Sequence, residues 1–198
     1  YEYSAENLTL KLRENDLLLS LLDGSDEAAL RELMAHRKLR SEIYPYEYSY
    51  ESKVEEIEGT ATYVEWMVLK QLDEREAKVL TNRMRTVMTK PEYLLPIRIS
   101  GYYTGALMIN ALSSAGIYPF AAADRPVGIS ALKAVTPSDG VFTGKDMIFR
   151  NVSDAVDAFN KKSEEIIRSV LERNEVVLNG PLELVCVNIY DARFYKGY

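Results

Sequence analysis

One cysteine and one histidine are all that 198 residues contain. Cys186 alone excludes an intrachain disulfide and a thiolate zinc cluster. Its neighbours Leu184, Val185 and Val187 are apolar, so it reads as a small buried hydrophobe rather than a catalytic thiol. His36 alone excludes a two-histidine metal site within this chain, and any Ser/His/Asp triad would have to be built around it. No apolar run approaches the ~18 residues that span a bilayer, so no membrane span is expected. No long Lys/Arg cluster occurs and the formal net charge is -6, which argues against nucleic acid as a partner. Low-complexity tracts, internal repeats and a signal-peptide pattern are also missing. The first residues, Tyr1-Glu2-Tyr3, lack an initiator Met and read as a processed product or a piece of something longer.

What is present is ordinary for a soluble globular protein: 47% hydrophobic and 27% charged residues. The length suits one domain or two small ones. Helical periodicity dominates. Leu8 to Leu22 carry a broad apolar face, and Asp23-Gly24-Ser25-Asp26 reads as a stop followed by a new N-cap. A second helix over about 27–42 would bury Leu30, Leu33, Met34 and Ile43, and turn Arg31, Arg37, Lys38 and Arg40 to solvent. Ile43 to Tyr50 holds Pro45 and four tyrosines and reads as a loop whose rings cover a core edge or line a groove. The third helix, about 51–72, repeats Val54, Ile57, Ala61, Val64, Val68 and Leu69 on its apolar face. Glu58, Thr62, Glu65 and Trp66 form the stripe beside it. A fourth helix covers about 74–88. From Arg98 to Gly116 small and apolar residues occupy nearly all sides, which predicts a helix buried all round. Gly101 and Gly105 would let a neighbour approach it closely. Pro119 to Gly144 reads as irregular. Asn151-Val152-Ser153-Asp154 starts a sixth helix that runs to about Arg173, and Asn179-Gly180 turns a β-hairpin between Val176 and Tyr190. The expected fold is mainly α, a multi-helix domain of about six helices with a small C-terminal β-hairpin or sheet. Residues 1–118 form the helical part, and residues 119–198 an α+β part packed on it.

The most informative segment is Glu58-Gly59-Thr60-Ala61-Thr62-Tyr63-Val64-Glu65. It sets a Gly inside a helical pattern, where Gly costs about 1 kcal/mol relative to Ala. Such a Gly implies close approach of a helix, a metal or a substrate beside the Glu58 carboxylate. The segment resembles the E-G-x-A-x-Y helix of gluzincin zinc metallopeptidases. The glycine-bearing stretch from Arg98 to Leu112 is similar to the helix that comes after it in bacterial members. The likeness covers about Asp26 to Leu112.

The resemblance implies that Glu58 is the third zinc ligand of a peptide hydrolase in which an H-E-x-x-H helix supplies two histidines and the general base. Two imidazoles and a carboxylate leave one zinc position for an activated water. It further implies that Tyr102 or Tyr103 hydrogen-bonds an oxyanion, and it points to an extracytoplasmic setting. H-E-x-x-H is absent from this sequence. The chain alone is therefore expected to hold no zinc and to be inactive, the histidine helix lying upstream in a parent protein or having been lost. Zinc would then be a cofactor of the parent only. Glu32 and His36 lie four apart on one helix face, but without the first His, and His36 reads as a surface or capping histidine. Arg98 either holds a substrate carboxylate or pairs with a Glu, the pair being the simpler reading. Thr143-Gly144-Lys145 lacks phosphate-loop spacing. The alternative function is a non-catalytic helical module, in which the tyrosine segment and the Glu58 groove recognise a peptide or protein partner.

Overall fold

The computed structural model describes residues 5–94, 97–117, 135–137 and 152–173. These residues are mainly helical. The order is α1 (Ala5–Ser20), α2 (Glu27–Ile43), α3 (Pro45–Val54), a π-turn (Glu55–Gly59), α4 (Thr60–Leu72), α5 (Glu74–Thr89), a 3-10 turn (Pro91–Tyr93), α6 (Ile97–Ser114) and α7 (Ser153–Arg173). Because α3, the π-turn and α4 run on without a break, the described residues make six helical stretches. The expected hairpin, Cys186 and Thr143-Gly144-Lys145 lie outside the described residues. The chain divides into two compact units, Tyr1–Phe159 and Asn160–Tyr198. The described part of the second unit is the C-terminal portion of α7, an amphipathic helix with Ile166 and Ile167 exposed.

Local chemistry accounts for the boundaries. The Asp26 carboxylate accepts from the backbone N–H groups of Ala28 and Ala29 at 2.9 and 3.1 Å, capping α2. Asp73 does the same for α5 through Arg75 and Glu76. Pro45 occupies the first turn of α3, where its missing N–H costs nothing and its fixed φ suits a helix. The expected loop over 43–50 is therefore a helix: the proline starts it rather than interrupting it. Of its tyrosines only Tyr48 covers the core; Tyr46 and Tyr50 are exposed.

The first unit is built around α6. Nearly every residue from Ser100 to Leu112 is buried, as its composition predicts. Against it pack Leu17, Leu18, Leu21 and Leu22, then Leu30, Leu33 and Met34 of α2, Trp66 of α4, and Met84 and Met88 of α5. Each such side chain contributes on the order of 1.5–3 kcal/mol on burial. A second cluster joins Leu8 and Leu12 to Leu94, Ile97, Val152 and Val156.

Two faces differ from the sequence expectation. From Ile57 of the π-turn onward, Ile57, Ala61, Val64 and Val68 face solvent, and Thr62 and Trp66 are buried instead. A π-turn inserts one residue into the helical register, which rotates α4 relative to α3 by roughly 100°. The apolar repeat that reads as one face is thereby split at Val54. On α2, Arg37 and Arg40 are fully buried rather than solvent-facing.

Candidate functional site

The π-turn exists where two helices cross almost in backbone contact. A Cβ placed on Gly59 would lie 2.6 Å from the Gly105 Cα, and one placed on Gly105 would lie 2.6 Å from the Glu55 carbonyl oxygen. Real side chains do not tolerate such distances, so glycine is required on both helices. Gly101 likewise faces the Val54 side chain. The glycines of the two sequence segments thus meet each other.

This crossing presents two carboxylates to opposite environments. Glu58 lies at the surface. Arg98 Nη2 donates to its Oε1 at 2.6 Å, with side-chain exposures of 29% for Glu58 and 57% for Arg98. Arg98 Nε also lies 3.5 Å from the Tyr102 hydroxyl. The Thr62 hydroxyl donates to the Glu58 carbonyl at 2.8 Å and ties down the turn. Glu58, Arg98 and Tyr102 therefore come together. Tyr103 does not join them, since it is buried in the core beside Ala106 and Leu107. His36 is also fully buried, not at the surface or in a cap. Burial, then the charges of Arg13 and Arg40, lowers its pKa to about 4, so the imidazole is neutral at pH 7. Its Nε2 lies 3.9 Å from Glu32 Oε1.

Among the described residues no three His, Cys, Asp or Glu side chains converge to hold a metal ion. The Glu58 carboxylate is engaged by an arginine rather than by imidazoles. The described residues therefore do not by themselves make the zinc site that the E-G-x-A-x-Y likeness implies. No described helix is long and apolar enough to cross a membrane.

Beneath the π-turn lies a feature that the sequence reading missed. Lys11 and Glu14 of α1, Arg37 and Arg40 of α2, Glu51 of α3 and Glu55 of the π-turn are all buried. Arg40 is the hub. Its Nη2 donates to Glu51 at 2.6 Å, its Nη1 to Glu14 at 2.9 Å and its Nε to Asn7 at 2.9 Å. Lys11 donates to the second Glu51 oxygen at 2.6 Å. Arg37 bonds Glu55 and lies 3.6 Å from Glu14. Thr104 of α6 donates to the same Glu55 oxygen at 2.6 Å, and the Tyr48 ring sits 5.9 Å from the Arg37 guanidinium. Three cations balance three carboxylates. Burial alone would raise the Glu51 carboxyl, but Arg40 and Lys11 outweigh it and bring the pKa to about 2. Glu55 is lowered in the same way, burial opposing and Arg37 prevailing. A signal was available in the sequence: Lys11/Glu14, Arg37/Arg40 and Glu51/Glu55 are charged pairs at helical spacing on three successive helices.

A pocket of about 200 Å³ opens beside this network, lined by Tyr46, Glu47, Tyr50, Glu51 and Ile97.

The chain matches no family model, no curated protein and no solved structure.

Proposed function

We propose that this chain is the carboxylate-presenting helical part of a gluzincin-like metallopeptidase domain, without peptidase activity by itself. The observation that carries this reading is the setting of Glu58. Next to it in the chain Ile57 is 69% exposed, and Val64, Val68 and Leu72 of α4 are 53%, 47% and 81% exposed. Exposed apolar side chains of this kind mark a surface made to be covered. A segment bringing an H-E-x-x-H helix onto it would set two histidines beside Glu58. Arg98 and the Gly59–Gly105 crossing hold that carboxylate in place meanwhile. Peptide hydrolysis then belongs to the assembled domain, and this chain's share is to position one carboxylate.

Zinc content tests the reading. The natural gene product containing this chain should bind zinc stoichiometrically and lose it in Glu58→Gln. A gene product that carries no H-E-x-x-H, or that binds no zinc, overturns it.

The second reading, a non-catalytic recognition module, is favoured by one specific observation: the tyrosine- and glutamate-lined pocket on α3.

A further inference from the structure

Helix α2 carries Glu27, Leu30 and Arg31 three and four residues apart, so the three share one face of its first turns. Helix α6 ends in a glycine turn. Gly116 has φ 75°, its N–H donates to the Ser113 carbonyl at 3.0 Å, and the Ile117 N–H donates to the Leu112 carbonyl at 2.8 Å. This pair of returning bonds needs a left-handed residue at the helix end. It sets Ile117 back against the core. Between the start of α2 and the end of α6, with Val135 and Thr136 alongside, opens a cavity of about 630 Å³. That volume lies within the roughly 300–1,000 Å³ usual for a small-molecule site.

Among the described residues the cavity wall carries one cation, Arg31. Arg31 is half-buried. The other described arginines that are not exposed, Arg13, Arg37 and Arg40, each bond a carboxylate. Arg31 bonds none. Glu27, one turn earlier, makes no ion pair with it, and its Nε is shut off from solvent without a hydrogen-bond partner. A guanidinium drawn partly out of water with nothing to bond is costly. Only Nε is closed off. The two Nη groups leave a planar fork, the shape that a carboxylate matches with two parallel bonds.

The rest of the lining selects among anions. Leu30, Ile117 and Val135 offer an apolar wall, which favours a guest with an alkyl or aryl body. The Thr136 hydroxyl adds a donor. Glu27 sets one negative charge on the same wall, so a dianionic phosphate meets more repulsion than a monocarboxylate. A cationic guest would leave the Arg31 guanidinium unbonded. We propose that this cavity binds an amphipathic monocarboxylate, with the carboxylate on Arg31 and a short apolar body against Leu30, Ile117 and Val135. A free small acid and the C-terminus of a peptide ending in an apolar residue share this chemistry. The site shares no residue with the Glu58 surface and stands whether or not Glu58 is a zinc ligand.

The test is calorimetric titration of the full chain at neutral pH. The probes are hexanoate, hexylammonium, hexyl phosphate, and a short peptide ending in leucine, as the free acid and as the amide. Hexanoate or the peptide acid should bind saturably, hexyl phosphate more weakly, and hexylammonium and the peptide amide not at all. Binding of the peptide acid without hexanoate identifies a peptide as the source, and binding of both identifies a free acid as sufficient. Arg31→Gln should weaken binding by about tenfold or more, as loss of a hydrogen bond to a charged group implies. Arg31→Lys should recover part of the affinity, because it keeps the charge and loses the fork. Glu27→Gln, at an exposed position, should strengthen hexyl phosphate more than hexanoate. A readout on the wild-type chain is independent of how the variants fold. The Arg31 Nε–H resonance, which burial protects from exchange with water, should shift along the calorimetric isotherm. Four results would overturn the proposal: no saturable binding of either carboxylate, binding of hexylammonium or hexyl phosphate as tight as that of the carboxylate, equal affinity in Arg31→Gln, or an Arg31 Nε–H resonance unmoved at saturation.

Discussion

Glu55 and Glu58 stand three residues apart in the same π-turn, and each is bonded to an arginine. Glu55 is sealed between α2 and α6, with Arg37 and Thr104 on one oxygen. Glu58 meets Arg98 at the surface. The bond types are alike and the energetics are not. A buried pair is held together because either partner alone would be an uncompensated charge. An exposed pair is screened and contributes little. The first can therefore serve architecture, while the second leaves its carboxylate free to change partners.

Breaking the buried side should have the largest effect. Arg37→Met strands Glu55 and should lower stability by about 3–5 kcal/mol, read by urea denaturation. The double variant Arg37→Met/Glu55→Leu should recover a large part of that loss, since an apolar replacement of the whole pair is often neutral. If the double variant is no better than the single, Thr104 and Glu14 hold the region independently of the pair.

The next effect is on acid stability. The His36 pKa is lowered in the fold, to about 4 from 6.5. The unfolded chain therefore binds the extra proton between those values, and stability falls as pH drops from 6.5 to 4. The fall should reach about 3 kcal/mol, and His36→Gln should flatten it. The Glu51 pKa is lowered as well, from 4.5 to about 2. Its contribution is complete above pH 4.5 and is lost on further acidification. Stability measured by denaturant titration at pH 7, 5.5, 4 and 2.5 separates the two windows, the last step reporting Glu51.

Gly105→Ala tests the crossing that keeps the two glutamates apart. Its Cβ would meet backbone atoms of Glu55 and Gly59, which cannot swing aside as a side chain can. Destabilisation of about 1–3 kcal/mol is expected. Gly101→Ala meets the Val54 side chain instead and should cost less. Equal losses in calorimetry would show that the contact adjusts more easily than its distances imply.

The smallest effect is expected at the surface. Glu58→Gln should leave the melting temperature unchanged while abolishing any zinc binding by the natural gene product. A drop comparable with that of Arg37→Met would erase the distinction between the two carboxylates.

Much of the fold is legible in the sequence. The cap at Asp26, the all-round apolar pattern of α6 and the leucines of α1 are local signals, and they locate their helices to within a residue or two. Two readings fail for identifiable reasons. Pro45 reads as an interruption, although at a first turn it begins a helix. The apolar repeat from Val54 to Leu69 reads as continuous, although one extra residue in the π-turn turns α4 so that Trp66 faces inward and Val64 outward. The site is legible in part. The Glu58-Gly59 step points to a close contact, and an acidic partner for Arg98 is the simpler choice. The buried charges escape notice, because arginine and lysine at helical spacing read as a solvated face unless their carboxylates on other helices are known.

Sequence by itself determined where most helices start and stop, the start of α3 at Pro45 excepted, which helix would be central and where glycine must replace a side chain, because each of these depends on neighbours a few residues away. Only the tertiary structure decided which charges are sealed and which are exposed. That choice depends on whether α1, α2, α3 and α6 bring opposite charges to the same point, and no single helix contains both halves of the answer. Glu55 and Glu58 could not be told apart by residue type or local spacing. They are told apart by what lies across the helix crossing: Arg37 and Thr104 in the interior for one, Arg98 and solvent for the other.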